Sequence, residues 1–173
     1  MIKNYILFLF FLSFQIASAQ EPLNVFDVAR KGTVDQAKAL YKQDPKIFNT
    51  VNDSGYSPLI LACYRGNNEV AKFLIENGSD INGSSSMGTP LMASIVKGNT
   101  EVAELLINKK ADVNFADANG TTALMYAVQF KNVGVTKLLL AHKADKTKVD
   151  KTGKTAFEYA VFSNNQEIIN LLK

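Results

Sequence analysis

Residues 57–82, SPLILACYRGNNEVAKFLIENGSDIN, return 32 positions later as TPLMASIVKGNTEVAELLINKKADVN at residues 89–114. The recurrence runs on in three registers. A small residue or proline precedes an apolar one at Pro58/Leu59, Pro90/Leu91, Ala123/Leu124 and Ala156/Phe157, in steps of 32, 33 and 33. A paired apolar site follows at Phe73/Leu74, Leu105/Leu106, Leu138/Leu139 and Leu171/Leu172 with the same steps. An acidic turn closes three units at residues 80–82, 112–114 and 145–147. A weaker copy precedes them, with Val25, Phe26, Val28, Ala29, Gly32 and Leu40 in the matching places. A unit of this length cannot enclose its own apolar face, but stacked neighbours can, so the pattern restricts the chain to a linear array.

Each unit parses into two short helices. Ser57, Thr89, Thr122 and Thr155 stand where a hydroxyl accepts from the first free amides of a helix. Pro58 and Pro90 follow directly, where the missing N–H costs nothing. Gly66 and Gly98 suit the left-handed residue that ends such a helix. Apolar positions at helical spacing predict second helices over 68–77, 100–109, 133–142 and 166–172.

Residues 88–91 (Gly-Thr-Pro-Leu), the Leu-Leu pair and residues 111–114 (Ala-Asp-Val-Asn) together resemble the ankyrin repeat, whose unit is about 33 residues with a T-P-L-H-x-A signature. The resemblance implies an all-α solenoid of about five helix-turn-helix units with β-hairpin fingers. It covers residues 20–173, in units of roughly 22–51, 52–83, 84–115, 116–148 and 149–173. The departures are specific. The signature histidine is absent, its place taken by Phe26, Ile60, Met92, Met125 and Glu158. Its hydrogen bond to the threonine, about 1 kcal/mol, must give way to apolar packing at most of these sites. Lys110 and Lys143 replace the glycine that ends the second helix. The loop at 83–87 is one residue short, so an irregular finger is expected there.

Before the repeats, one lysine, an apolar run from Ile6 to Ile16 and then Ala17-Ser18-Ala19 have the order of a signal peptide, with cleavage expected after Ala19. The chain is therefore expected in the periplasm or secreted, and a retained segment would make it a membrane-tethered envelope protein instead. Removing residues 1–19 leaves 18 basic against 16 acidic residues. That balance argues against nucleic acid as a partner, and membrane association is expected only if the N-terminal segment stays.

The chemistry-bearing residues are few: one cysteine, Cys63, and one histidine, His142. Neither stands in a ligand cluster or nucleophile motif, no phosphate-cradling glycine loop occurs, and Ser84, Ser85 and Ser86 lack a base near in sequence. No cofactor, metal or catalytic residue is expected. An enzyme that uses the repeats as scaffold is the weaker alternative. What the resemblance implies is a protein–protein interaction module, monomeric, binding through the concave face and fingers. Its candidate contacts are Tyr64, Arg65, Val96, Lys97, Gln129, Phe130 and Phe162 at the ends of the first helices, with Tyr56 and Phe115 on the fingers. Aromatic and arginine side chains are the types enriched at interfaces, although Tyr64, Phe130 and Phe162, with Tyr126 and Tyr159 beside them, could instead fill gaps between units.

Overall fold

The structure, a computed structural model, describes residues 23–86 and 88–173. The expected signal segment, residues 1–19, and Met87 of the short loop lie outside the described residues. Ten α-helices fall in pairs among those described: α1 Val25–Lys31 with α2 Val34–Gln43, α3 Pro58–Arg65 with α4 Asn68–Glu76, α5 Pro90–Lys97 with α6 Thr100–Asn108, α7 Ala123–Gln129 with α8 Val133–Ala141, and α9 Ala156–Phe162 with α10 Gln166–Leu172. A 3-10 turn, Pro45–Asn49, follows α2. First helices stack on first helices along the series α1, α3, α5, α7, α9, and second helices do the same from α2 to α10. The molecule is a two-layer helical solenoid with one continuous core.

The cap residues act as their type dictates. Ser57 Oγ accepts from Ile60 N–H at 3.2 Å, and the hydroxyls of Thr89, Thr122 and Thr155 accept likewise from residues 92, 125 and 158. The sites without histidine divide by environment. Ile60, Met92 and Met125 are buried, and Met125 Sδ accepts from Thr122 N–H at 3.5 Å. Glu158 is exposed and closes a capping box, its carboxylate accepting from Thr155 N–H and from Thr155 Oγ at 2.6 Å.

Two asparagine series sew neighbouring units together. Asn67, Asn99 and Asn132 precede the second helices and donate backwards from Nδ2: Asn67 to the Gly32 carbonyl at 2.9 Å, Asn99 to that of Cys63 at 3.2 Å, and Asn132 to Thr100 Oγ1 at 3.0 Å. Asn49, Asn82 and Asn114 reach forward, each Oδ1 accepting an N–H of the next unit, from Asp80, Asp112 and Asp145 at 2.7–2.8 Å. Asn67 and Asn99 thereby satisfy carbonyls left over at the ends of α1 and α3, and both series fix the spacing of the stack.

Lys110 (φ 71°) and Lys143 (φ 64°) hold the left-handed conformation expected of the residues that replace glycine. Left-handed geometry costs a side-chain-bearing residue about 1–2 kcal/mol. After the entropy that glycine loses on folding, Lys110→Gly and Lys143→Gly are each expected to raise stability by about 0.5–1 kcal/mol. Urea unfolding of each variant measures this; a loss of stability would show the lysine stems to be needed for packing.

The β-hairpin fingers are not strands among the described residues. Asn52, Asp117 and Asp150 each close a five-residue turn, their Oδ1 accepting from the N–H groups two and four residues on. Only isolated antiparallel bridges, Ala116 with Thr122 and Ser85 with Gly88, accompany them. The side chain takes the amides that would extend a ladder, and Thr122 must already start the next helix. The short loop lacks this turn and closes instead through paired bonds between Ser85 and Gly88, at 3.0 Å.

Candidate interaction face

Four of the five first helices end alike, with the chain reversing through a left-handed residue: Gly66 (φ 78°), Gly98 (φ 79°), Lys131 (φ 54°) and Asn164 (φ 51°); α1 ends instead at Gly32 in extended backbone. The side chains just before these reversals form two columns across the stack. Counted from the first residue of each helix, Tyr64, Val96, Gln129 and Phe162 share one column; Arg65, Lys97, Phe130 and Ser163 share the next. Tyr64 and Phe130 therefore stand in different columns, with the unit of Val96 and Lys97 between them. The run of adjacent aromatics that the sequence suggests is interrupted.

Exposure separates binding candidates from packing. Phe162 is 91 % exposed, Phe130 53 % and Tyr64 39 %; Arg65, Lys97 and Gln129 are exposed and Val96 is half-buried. Tyr64, Arg65, Val96 and Lys97 line a cleft of about 360 Å³ between the ends of α3 and α5. The Lys97 stem lies close over Gly66, where an added Cβ would sit 3.1 Å from its Cε. A second groove of about 430 Å³ opens between α1 and the first finger, with Phe26, Arg30 and residues 51–54 in its walls. Helix ends and fingers thus enclose recesses rather than a flat surface.

The other aromatics hold the fold. Tyr56 and Phe115 are half-buried against the core, and the Tyr56 hydroxyl shares a hydrogen bond with Ser86 of the next finger at 3.1 Å. Leu61 and Ala93, beside the columns, are buried outright. Tyr126 donates its hydroxyl to Asp117 Oδ2 at 2.7 Å, and Tyr159 donates to Asp150 Oδ2. Each tyrosine ties a first helix to its own finger.

That tie shows in ionisation. Burial, then the Asp117 carboxylate, pushes Tyr126 up to about 12. The bond to Asp150 raises Tyr159, and the Tyr159 hydroxyl, with Thr152, holds Asp150 well below the usual carboxylate range. A tyrosine raised by folding stabilises fully below its unfolded value, about 10, and loses that contribution as pH climbs through the folded one. Stability is thus expected to fall between pH of about 10 and about 12, with a shallower fall in Tyr126→Phe. Denaturant midpoints across that range measure it, and equal slopes in both proteins would contradict the tie.

The few reactive residues are placed for structure. Cys63 is completely buried, and burial pushes its thiol up to about 12, so no thiolate forms near neutrality. His142 caps the end of α8 and lines a shallow cleft with Lys110 and Lys143. Among the described residues no three His, Cys, Asp or Glu side chains gather where they could hold a metal. No described helix is long and apolar enough to cross a membrane.

Charge is divided between the two layers, which the whole-chain balance conceals. The second helices carry six acidic residues, Asp35, Glu69, Glu76, Glu101, Glu104 and Glu167, against four basic ones, Lys38, Lys42, Lys72 and Lys137, and ion pairs link their units: Lys72 to Glu101 at 2.7 Å and Lys137 to Glu167 at 2.8 Å. Along the first-helix ends stand Lys31, Arg65, Lys97 and Lys131, none in an ion pair among the described residues. A count by helix layer, rather than over the whole chain, would have exposed this division in the sequence.

A family model described as ankyrin repeats in three copies matches residues 25–117 and again residues 109–173. A stretch of 66 residues is 36 % identical to BTB/POZ domain-containing protein 3 of Schizosaccharomyces pombe, covering 38 % of this chain and 13 % of that protein. Another comparison, over 48 residues, gives 44 % identity to the acyl-CoA-binding domain-containing protein 6 homolog of Dictyostelium discoideum, covering 28 % of this chain and 17 % of that one. The chain thus spans less than a fifth of the length of either curated relative. Ankyrin repeats are in general non-enzymatic scaffolds for protein–protein interaction, the role that exposed helix ends and enclosed recesses suit. The helix pairs, the caps at residues 57, 89, 122 and 155, and a match that runs through the stack make this chain a member of the ankyrin-repeat family.

Proposed function

We propose that this chain is an exported, non-catalytic adaptor that holds a partner protein against the ends of its first helices, with the fingers as a second wall. One observation carries the reading: Tyr64, Phe130 and Phe162 stay exposed at the ends of tightly capped helices, while Tyr56, Phe115, Tyr126 and Tyr159 are drawn into packing. Exposed apolar side chains grouped on one edge mark interaction sites more often than chance surface. The stack holds them rigidly, so little ordering entropy is lost on binding. Export rests on the residues of the N-terminal segment alone.

The test is the double variant Tyr64→Ala with Phe130→Ala. Both rings are exposed, so the melting transition is expected to stay unchanged. Anchor residues of this kind each contribute about 2 kcal/mol or more, enough to abolish co-purification of a crosslinked partner from the exported compartment. A partner retained at full yield, or a double variant that unfolds, would overturn the assignment.

A further inference from the structure

We infer that the ends of the first helices form a basic rail that accepts an extended acidic segment of a protein partner, with carboxylates every third residue. The inference deepens the proposed binding role and depends on it. Three cations, Lys31, Arg65 and Lys97, stand in the last turns of the first helices of successive units, and Lys131 follows in the reversal after α7. None has a carboxylate partner among the described residues. Asp27, the acidic residue nearest the rail in α1, is already taken by Arg30 at 2.9 Å. The cleft between Arg65 and Lys97 is walled otherwise by Tyr64 and Val96, with no acidic residue in its lining.

A cation in the last turn of a helix is favoured by the helix dipole alone, and that would be the plain explanation. The second helices argue against it. Apart from α2, with Lys42, none of the second helices carries a basic residue in its last turn, although all have the same dipole. α1, α3 and α5 each carry one. α7 and α9 carry none, so basic last turns gather on the first helices of the first three units, against one among the second helices.

Spacing defines the guest. Packed helices lie about 8–10 Å apart, so one cation recurs per such step along the stack. An extended polyproline-type segment advances about 3.1 Å per residue and presents the same side every third residue, which brings its carboxylates into register with the cations. Between them, Tyr64, Val96 and Phe130 offer apolar surface for the intervening side chains.

Fluorescence anisotropy of the full chain with a labelled synthetic peptide, glutamate at every third position, tests this. Binding is expected to weaken as salt rises and to fall about tenfold or more in Arg65→Glu with Lys97→Glu, and also, less steeply, in Arg65→Gln with Lys97→Gln. Lys42→Glu with Lys109→Glu, the same charge change at the ends of the second helices α2 and α6, is expected to leave it nearly unaltered. Equal losses in both reversal pairs, equal affinity for an isomeric peptide with its glutamates clustered, or tighter binding of a single-stranded oligonucleotide would each overturn the inference. The dependence on the proposed function is separable. If Tyr64→Ala with Phe130→Ala releases the partner and Arg65→Glu with Lys97→Glu does not, the face stands and the acidic segment falls; if neither pair releases it, the face itself falls.

Discussion

Leu106→Ala is expected to remove about 2–5 kcal/mol of unfolding free energy, the range for emptying a fully enclosed leucine site. Leu106 lies on α6 in the middle of the stack and is completely buried. Stability in such an array is nearly a sum of unit terms and neighbour terms, and a central vacancy weakens the seams on both sides. The same truncation at Leu172, in the last turn of the final helix, touches one seam only and is expected to cost less. Urea unfolding distinguishes them: Leu106→Ala should shift the midpoint strongly and can broaden the transition as the two halves uncouple. Equal small losses at both sites would mean that the units are stable singly, against the reasoning that made a stack necessary.

Phe48→Ala is expected to be comparably severe, about 3–5 kcal/mol. Phe48 is buried on the 3-10 turn and joins Tyr41 of α2 to Phe73 of α4. Its ring stacks on Tyr41 at 5.4 Å and meets Phe73 edge-on at 6.0 Å, while Tyr41 and Phe73 meet edge-on at 6.1 Å. No other seam among the described residues is closed by three rings in mutual contact. Hydrogen exchange should show α2 opening first in this variant, since its seam to α4 loses the ring between Tyr41 and Phe73. Protection lost evenly over all ten helices would contradict that.

The helices were legible because their signals are local. A cap hydroxyl, a proline at the first position and a closing glycine act within a few residues, so Ser57, Pro58 and Gly66 marked α3 directly, and the second helices ended within one residue of expectation. The asparagine series were not legible in the same way. Asn67 reads as an ordinary helix cap, yet its side chain bonds backbone 35 residues away, and only the stacked structure identifies that partner. The tyrosine ties lay between these cases. Asp117 with Tyr126 and Asp150 with Tyr159 share a nine-residue spacing, a regularity the periodic pattern contains but propensity does not single out. Tyr126 and Tyr159 therefore read only as neighbours of the candidate contacts, although their hydroxyls are committed to the fingers.

For the face itself, residue type was legible and arrangement was not. Large aromatics near helix ends were visible, but register puts Tyr64 and Phe130 in separate columns. The near-neutral chain likewise hid a modest division between first helices with a basic excess and second helices with an acidic one. Both follow from which layer a residue joins, which the helix pairing decides.

The central claim, that the ends of the first helices are the binding face, is tested most directly by a photo-crosslinking amino acid placed in turn at Tyr64, Phe130, Glu76 and Glu104 of the full chain in its native compartment. The first two positions lie on that face, and the last two are exposed positions on the second helices. The account predicts one partner protein crosslinked from positions 64 and 130 and absent from 76 and 104. A partner captured from 76 and 104 but not from 64 and 130 would contradict it.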